Sequence, residues 1–290
     1  MPPQTPFQRL RLRGSIAAVA LAAAACAAPS APPSATVVPS VSPEQIGEVR
    51  AGSGVLNGYL DRRALPNARA LLPPPPPDGS PMAAADLAAY RTSRALRDSP
   101  RWALATRDAE LRFPAAGRTF SCALDAPISA EATPHLNTLL RRTLADAGLS
   151  TYTAKDHYNR VRPFVALKEA SCSTAEEPRL VKDGSYPSGH AALGWAWGLV
   201  LASVSPERAD ALLQRAHAFG QSRMICGVHW QSDVDAGRTM GAATFARLQS
   251  DPTYAAQIAL ARGELAALRA KGTRSSEDCA AEAAALAVGR

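Results

Sequence analysis

The chain has 290 residues, of which 47% are hydrophobic, enough to bury the core of one full-sized domain. Aromatic residues make up only 6% and alanine is abundant, which favours helices over sheets. The formal charge is +7, but Arg9, Arg11 and Arg13 belong to an N-terminal leader and leave +4 for the remainder. Because that remainder has no run of Lys or Arg and no interleaved aromatic residues, the composition argues against nucleic-acid binding as the main role.

Residues 1–27 are predicted to form a signal peptide, although the pattern does not fix its cleavage site. The three leader arginines precede the apolar residues 16–25, a stretch too short to span a bilayer. Residues 28–50 are rich in Pro, Ser and Ala and predict a linker. We therefore expect an exported, periplasmic protein with no membrane span. Secretion is an alternative, as is a lipid anchor at Cys26, whose preceding residues form only a weak lipoprotein box.

Residues 51–272 are predicted to form one all-α domain, a single helical bundle, because strand signals are nearly absent. The proline-rich residues 71–77 indicate an extended segment packed on this domain. Residues 82–106 have helical periodicity, and a further helix should begin at Pro134 and stop at Gly148. Residues 151–165 should begin as a helix and break at Pro163.

The most apolar helix is predicted over residues 189–204, which are hydrophobic nearly all round. This pattern indicates a buried central helix, and the run is too short for a membrane span. Ser205 should cap the next helix, with Pro206 at its first position, and that helix should end near residue 223.

The C-terminal part should contain two further helices. The last core helix is predicted over residues 229–248, and Asp251 followed by Pro252 should begin a terminal helix. Residues 273–290 are predicted to be a C-terminal tail that contains Cys279. The domain prediction is therefore a bundle between a leader with its linker and a short tail.

Three short segments supply a set of cations, a turn and two histidines: Lys155-x6-Arg162-Pro163, Pro187-Ser188-Gly189-His190 and Ser222-Arg223-x5-His229-x3-Asp233. Arg162 and Arg223 can each donate paired hydrogen bonds to a phosphate, and Lys155 adds a compact charge. The backbone N–H groups of Ser188 and Gly189 open the apolar helix, and a helix N-terminus is a ready anion site. Each cation alone would be read as a solvated surface charge, but together they predict a phosphate-binding site.

The two histidines add the chemistry that a phosphate site needs. His229 and Asp233 are four residues apart in the predicted helix, so both should project from one face. The carboxylate can hold one ring N–H and leave the other nitrogen free to attack phosphorus. His190, beside Gly189, is then the expected general acid for the leaving group. Three converging cations would repel a divalent ion, so we expect no metal and no cofactor.

Four cysteines remain after Cys26: Cys122, Cys172, Cys226 and Cys279. An even number in an exported protein indicates two disulfides, with three connectivities, and the lack of C-x-x-C spacing disfavours metal binding. Cys172 follows the Lys/Arg segment and Cys226 lies in the final motif. Because both segments should converge on one phosphate, we favour Cys172–Cys226 and, by elimination, Cys122–Cys279.

The motifs resemble the signature of the type-2 phosphatidic acid phosphatase and vanadium haloperoxidase superfamily, and most closely that of the bacterial class A non-specific acid phosphatases. The similarity covers about residues 55–270 and rests on residues 71–77, 155–164 (KDHYNRVRPF), 184–190 (GSYPSGH) and 220–235 (GQSRMICGVHWQSDVD). It implies a helical bundle, metal independence, a phosphohistidine intermediate, and broad activity on small phosphomonoesters, including nucleotides.

The resemblance also implies the role of each site residue. His229 becomes the nucleophile, His190 the acid and base, and Asp233 the group that orients the nucleophile. The phosphate ligands become Lys155, Arg162, Ser188, Gly189 and Arg223. One departure is Ala191, which stands where the signature usually has Thr; because that position is not a phosphate ligand, catalysis is not in doubt.

Other functions share parts of this pattern. A vanadium-dependent haloperoxidase would use the same pocket for vanadate, and a lipid phosphate phosphatase would share the chemistry but usually carries several membrane spans. A non-catalytic phosphate-binding protein would need neither His190 nor the His229–Asp233 pair. A homo-oligomer is left open.

Overall fold

The computed structural model describes residues 43–288, so the predicted signal peptide, Cys26 and most of the predicted linker lie outside the described residues. Within this range the chain forms helices and one isolated antiparallel bridge, Glu48–Leu56, but no strand, which confirms the all-α prediction. The α-helices, numbered in chain order, are α1 (Pro43–Ile46), α2 (Ala68–Leu71), α3 (Pro81–Ser93), α4 (Pro100–Arg107), α5 (Ala115–Arg118), α6 (Ser121–Leu124), α7 (Pro134–Leu149), α8 (Tyr152–Tyr158), α9 (Pro163–Ala166), α10 (Glu177–Leu180), α11 (Gly189–Val204), α12 (Ala209–Ile225), α13 (Gln231–Leu248), α14 (Pro252–Ala270) and α15 (Cys279–Ala287).

Helix α11 lies at the centre of the bundle, with α7, α12 and α13 packed around it and α14 packed on α7. Trp197 and Leu201 of α11 are fully buried, as the all-round apolar pattern predicts. The Trp197 ring packs 6.2 Å from the rings of both Phe120 and Phe219. Its Nε1 donates a hydrogen bond of 2.9 Å to the carbonyl of Leu140, so the one polar atom of this buried side chain is satisfied.

Two glycines allow the neighbours of α11 to approach closely. A Cβ at Gly237 of α13 would lie 2.4 Å from the backbone oxygen of Ser188, and one at Gly194 of α11 would lie 2.2 Å from the ring of Phe219. Helix α13 can therefore reach the start of α11 only because residue 237 has no side chain. This approach brings together the two helix starts that carry the predicted histidine motifs.

Two helix boundaries differ from the prediction. Residues 82–106 divide into α3 and α4, because Asp98 adopts a left-handed φ of 61° and the hydroxyl of Ser99 then caps α4 by accepting a hydrogen bond from the Trp102 N–H. Helix α8 ends at Tyr158, followed by Asn159 as its C-cap with a left-handed φ of 40°, and does not continue to Pro163. Pro163 instead begins α9, a position in which its missing N–H costs nothing.

Two local assignments were wrong. The Ser205 hydroxyl does not cap a helix but donates to Glu207, and α12 begins only after a 3-10 turn over Pro206–Arg208. His229 precedes α13, whose N-cap residue is Trp230, and so does not lie on a helix with Asp233. The two side chains are neighbours because Asp233 lies in the first turn of α13, where its carboxylate can reach back toward the preceding loop.

The two expected disulfides are both present: Cys122–Cys279 and Cys172–Cys226. The first joins α6 to the start of α15, which lies in the segment predicted as a tail. Helix α15 packs against α4, and its Glu282 pairs with the buried Arg215 at 3.3 Å. This part of the C-terminal segment is therefore docked on the bundle. In the described part of the chain, no helix has the length and apolarity that a membrane crossing requires.

Candidate active site

All eight predicted site residues meet near the starts of α11 and α13. Lys155 lies on α8, Arg162 directly precedes α9, Ser188, Gly189 and His190 open α11, Arg223 lies in the last turn of α12, and His229 and Asp233 flank the start of α13. Gly189 and His190 are partly buried, and each of the others is at most 4% exposed. The structure thus brings the predicted residues together in a region where charge interactions are strong.

The ring of His229 lies between Arg162 and Asp233. Nη1 of Arg162 is 3.0 Å from Nε2 of His229, and Nδ1 of His229 is 3.5 Å from Oδ2 of Asp233. A guanidinium can only donate, so Nε2 presents its lone pair and the ring proton is on Nδ1, facing the carboxylate. Nε2 is therefore the unprotonated nitrogen of the ring, which agrees with the tautomer that the His-x3-Asp pattern predicts.

Asp233 is held through both carboxylate oxygens and through its backbone. Oδ2 accepts a hydrogen bond of 2.8 Å from the Trp230 N–H, and Oδ1 accepts one of 2.6 Å from Nη1 of Arg160. Its backbone oxygen accepts from the Ser188 N–H at 2.9 Å. That N–H was expected to bind phosphate and is instead used within the protein. The Gly189 N–H, the first of α11, has no acceptor within its own helix and can face an anion.

Lys155 and Arg162 form one side of the site and share a counter-ion, Asp183. Nη2 of Arg162 lies 3.0 Å from Oδ2 of Asp183, and Nζ of Lys155 lies 3.6 Å from the same oxygen. Backbone carbonyls accept the remaining hydrogen bonds: Nη1 of Arg162 donates to Val228, and Nζ of Lys155 donates to Gly184. Both cations are thus fixed in position before a substrate arrives.

Arg223 forms the other side and is the least satisfied of the cations. Its side chain is 1% exposed, and among the described residues no atom accepts a hydrogen bond from its Nε or Nη1. Buried guanidinium donors are costly when they lack partners. An anion between Arg223 and Arg162 would satisfy these donors.

His190 is fixed by the backbone of the segment after α4. Its Nε2 lies 3.1 Å from the carbonyl oxygen of Ala109, and because a carbonyl only accepts, Nε2 carries a proton. The ring stacks on Phe219 at 6.3 Å with an angle of 19°. Nδ1 is therefore the nitrogen of His190 that can gain and release a proton during a reaction.

Burial and mutual repulsion change the titration of the site. Burial, followed by the charge of Arg162, lowers the pKa of Lys155 from 10.5 to about 8. Burial and the surrounding cations, Arg162 first, hold the pKa of His229 well below its ordinary value. The pKa of Asp233 is raised by burial, against which the charge of Arg160 acts most strongly. The neutral form of His229 is therefore favoured in the free protein, and a bound anion would relieve the repulsion among the cations.

Sequence reasoning missed three charged residues that hold the site. Asp183 pairs with two predicted phosphate ligands, Arg160 binds the carboxylate of Asp233, and Asp86 of α3 binds Arg160 at 2.8 Å. Arg160 lies inside the KDHYNRVRPF stretch, so its position beside Arg162 was a usable signal. Asp183 and Asp86 have no comparable spacing, and only the tertiary structure identifies them.

Comparisons with known proteins give a consistent family. The PAP2 superfamily matches residues 138–254, a range that contains all eight candidate residues. A non-specific acid phosphatase of Providencia stuartii is 43% identical over 212 residues, which cover 73% of this chain and 86% of that protein. One from Salmonella typhimurium is 44% identical over 200 residues, covering 69% and 80%. An acid phosphatase of Zymomonas mobilis is 41% identical over 194 residues, covering 67% and 74%.

Among solved structures, a bacterial vanadium-dependent iodoperoxidase aligns with a TM-score of 0.47 and 17% sequence identity, covering 63% of this chain and 53% of that one. The acid phosphatase relatives are far more similar in sequence, and the alignments include most of each relative's length. The chain therefore belongs to the non-specific acid phosphatases of the PAP2 superfamily and is an acid phosphatase.

Proposed function

We propose that this acid phosphatase hydrolyses phosphate monoesters of many kinds, nucleotides included, without a metal and through a phosphohistidine on His229. The observation that carries the proposal is the position of the His229 ring, whose Nε2 lies 3.0 Å from Nη1 of Arg162 and whose Nδ1 lies 3.5 Å from Oδ2 of Asp233. This is the arrangement that a histidine nucleophile requires.

In the first half of the reaction, the phosphate group takes the place of His229 as acceptor for Nη1 of Arg162 and fills the unpartnered donors of Arg223. Nε2 of His229 attacks phosphorus, and the bond from phosphorus to the ester oxygen breaks. His190 gives the proton on its Nδ1 to that departing oxygen. Asp233 stabilises the positive charge that His229 gains when its second nitrogen is phosphorylated.

In the second half, water attacks the phosphorus of the phosphohistidine and the bond from phosphorus to Nε2 breaks. His190, now neutral, takes a proton from that water at Nδ1. Inorganic phosphate leaves, and both histidines return to their starting states. The hydrogen bond from Nε2 of His190 to Ala109 persists through both halves, because only Nδ1 exchanges a proton.

Lys155, Arg162 and Arg223 supply the charge that a metal ion supplies in other phosphatases. Charge accumulates on the equatorial oxygens of the phosphoryl group during transfer, and three fixed cations in a buried site stabilise it. The same cations would repel a divalent metal ion, which supports a metal-independent reaction.

Broad specificity follows from what the candidate residues can recognise. The cations and the Gly189 N–H bind the phosphoryl group, and the two histidines act on phosphorus and on the ester oxygen. These atoms are common to all phosphate monoesters. The relatives are named non-specific acid phosphatases, which supports the same range for this chain.

Trapping the intermediate tests the mechanism. Rapid mixing with an aryl phosphate, an alkaline quench and peptide mass spectrometry should locate phosphate on His229, and His229→Ala should remove both the adduct and the turnover. The control is His217→Ala, an exposed position on α12. Phosphate trapped on any residue other than His229 would refute the assignment.

Chelation and inhibition test the metal-independent site. Turnover should persist in excess chelator, and vanadate should inhibit by occupying the phosphoryl position between the cations as a transition-state mimic. Loss of activity in chelator that zinc or magnesium restores would contradict the proposal. The Arg223→Gln variant should weaken vanadate inhibition, because Nε and Nη1 of Arg223 have no acceptor among the described residues and would bind the anion.

We also propose that residues 1–27 direct export and that the mature enzyme is periplasmic. The two disulfides support an oxidising compartment. Cell fractionation and mass spectrometry of the mature N-terminus provide the test. A diacylglyceryl group on Cys26 would instead establish a lipid-anchored envelope protein, and activity confined to the cytoplasm would contradict export.

A further inference from the structure

A buried ion network lies behind the proposed nucleophile, on the side of Asp233 that faces away from His229. Nη1 of Arg160 donates to Oδ1 of Asp233 at 2.6 Å and to the hydroxyl of Ser232 at 2.8 Å. Nη2 of the same guanidinium donates to Oδ2 of Asp86 at 2.8 Å. Arg160 therefore connects two carboxylates that belong to different helices, α13 and α3.

The far end of this network is rigid. Asp86 is 3% exposed, and its Oδ1 accepts a hydrogen bond of 2.8 Å from the Ser232 N–H while its Oδ2 accepts one from the Ser232 hydroxyl. The Arg160 guanidinium also lies over the ring of Trp230, with 5.5 Å from its carbon to the ring centroid. Arg160 is thus held on several sides and cannot move away from Asp233 without breaking bonds to a buried carboxylate.

The network determines how Asp233 meets His229. Oδ2 of Asp233 faces Nδ1 of His229 at 3.5 Å, and the orientation of the carboxylate is fixed by the Trp230 N–H at Oδ2 and by Arg160 at Oδ1. The only charged donor that binds Oδ1 among the described residues is Arg160. The described charged and titratable groups that act on Asp233 are Arg160, His229, Lys155, Arg162 and Tyr186.

We propose that Arg160, fixed by Asp86, is a positioning residue for the phosphatase reaction, which orients the Asp233 carboxylate toward His229 and keeps it ionised. The proposal rests on the proposed role of His229 as nucleophile. The described contacts of the Arg160 guanidinium go to Asp233, Ser232, Asp86 and the Trp230 ring, and these do not include a candidate phosphate ligand. Its loss should therefore affect the rate of phosphoryl transfer and not the affinity for the phosphate group.

The test separates these two quantities. Arg160→Gln should lower kcat by about tenfold or more while KM and the inhibition constant of vanadate stay within about threefold. The loss should deepen as pH falls, because an Asp233 without its cationic partner takes up a proton at higher pH and can no longer stabilise a positive His229. Arg160→Lys keeps the charge and should recover part of kcat.

Arg142→Gln is the matched control. Arg142 is also partly buried, lies 3.9 Å over the ring of Tyr59 and donates to backbone carbonyls, but on the side of α7 that packs on residues 57–58. Its variant should keep kcat and the pH profile. If Arg160→Gln has the kcat and pH profile of the parent enzyme, the proposal is wrong. A loss of kcat that is equal at all pH values and matched by an equal loss of vanadate affinity would also overturn it, because that pattern indicates general distortion.

Three further outcomes are decisive. If Arg160→Gln does not fold, Asp86→Asn decides the question, because it keeps the shape of residue 86 and loosens Arg160; an unchanged kcat in that variant refutes the proposal. If His229→Ala still forms a phosphoenzyme, the proposed function fails with its nucleophile. If His229→Ala is inactive and Arg160→Gln is unaffected, the positioning role alone is wrong.

Discussion

Replacing Lys155 by methionine tests how much the buried charge of this candidate phosphate ligand lowers the stability of the fold. Lys155 is 4% exposed, and burial together with the charge of Arg162 lowers its pKa from 10.5 to about 8. The folded protein therefore holds this proton less tightly than the unfolded chain does. The charged lysine consequently destabilises the folded state at neutral pH.

The magnitude follows from the two pKa values. The gap between 10.5 and about 8 corresponds to about 3 kcal/mol at about 1.36 kcal/mol per pH unit. Above pH 10.5 the lysine is neutral in both states and carries no penalty. As pH falls from 10.5 to about 8 the unfolded chain gains a proton that the folded protein lacks, so stability decreases through this window. Below about pH 8 the full penalty applies.

Methionine is similar in length to lysine and carries no charge, so Lys155→Met should remove the penalty. We expect its free energy of unfolding at about pH 7 to exceed that of the parent by about 3 kcal/mol, and at about pH 9.5 by about half as much. Because the same charge binds phosphate, the stabilised variant should be nearly inactive. This combination is the stability cost that functional sites commonly carry.

Urea unfolding of both proteins in phosphate-free buffer at the two pH values provides the measurement. Lys271→Met, at the exposed end of α14, should stay within about 0.5 kcal/mol of the parent at both. Added inorganic phosphate should raise the Tm of the parent and leave that of Lys155→Met nearly unchanged. A Lys155→Met protein that is less stable than the parent at pH 7, or a stability difference that is independent of pH, would refute the reasoning.

Three further predictions test the packing and chemistry of the site. Gly237→Ala should lower the free energy of unfolding by about 1–3 kcal/mol, because the new Cβ would lie 2.4 Å from a backbone oxygen. Gly263→Ala in α14, which has open space around it, should raise the free energy of unfolding by about 0.5–1 kcal/mol, and equal effects in urea unfolding would contradict the packing argument. Burial and a nearby arginine hold the pKa of His190 well below its ordinary value. Turnover of alkyl phosphates should therefore decrease with rising pH more steeply than turnover of an aryl phosphate with a good leaving group, and parallel pH profiles would exclude His190 as the acid. Replacing Cys172 and Cys226 by Ser should cost up to about 4 kcal/mol for their separation of 54 residues and should raise KM. Removing the other disulfide should lower stability without changing KM, and an equal change of KM in both variants would contradict a specific role of Cys172–Cys226 at the site.

The sequence predicted well those helices whose two ends are marked by local residue patterns. Helix α11 begins at Gly189 and ends at Val204, as expected, because an apolar run lies between a glycine turn and a serine-proline pair. The break between α3 and α4 was missed because it depends on a left-handed Asp98, which helical periodicity does not reveal. His229 was placed on α13 for a similar reason, since spacing alone does not distinguish a helix start from the loop before it.

The site was predictable where chemistry requires a particular residue type at a particular spacing. The two histidines, Asp233 and the three cations satisfy that condition, and all lie together in the structure. Asp86 does not, because it lies 146 residues before Ser232 and reaches the site only through the packing of α3 on α13. Any carboxylate that tertiary structure places beside Arg160 could serve in its position, so the sequence carries no signal for it.

The proposed site also explains why the bundle holds several buried charges. On the proposed mechanism, Lys155, Arg162 and Arg223 lie close together because they bind the same phosphate group, whereas burial alone would favour their separation. Asp183 balances the first two in the free enzyme, while Arg223 keeps donors without partners and so carries the largest unrelieved cost. The segments that bear Arg162 and Arg223 are joined by the disulfide Cys172–Cys226 and by the hydrogen bond from the Phe164 N–H to the carbonyl of Gly227. On the proposed mechanism, bound phosphate would relieve the repulsion among cations that these covalent and backbone links hold close together.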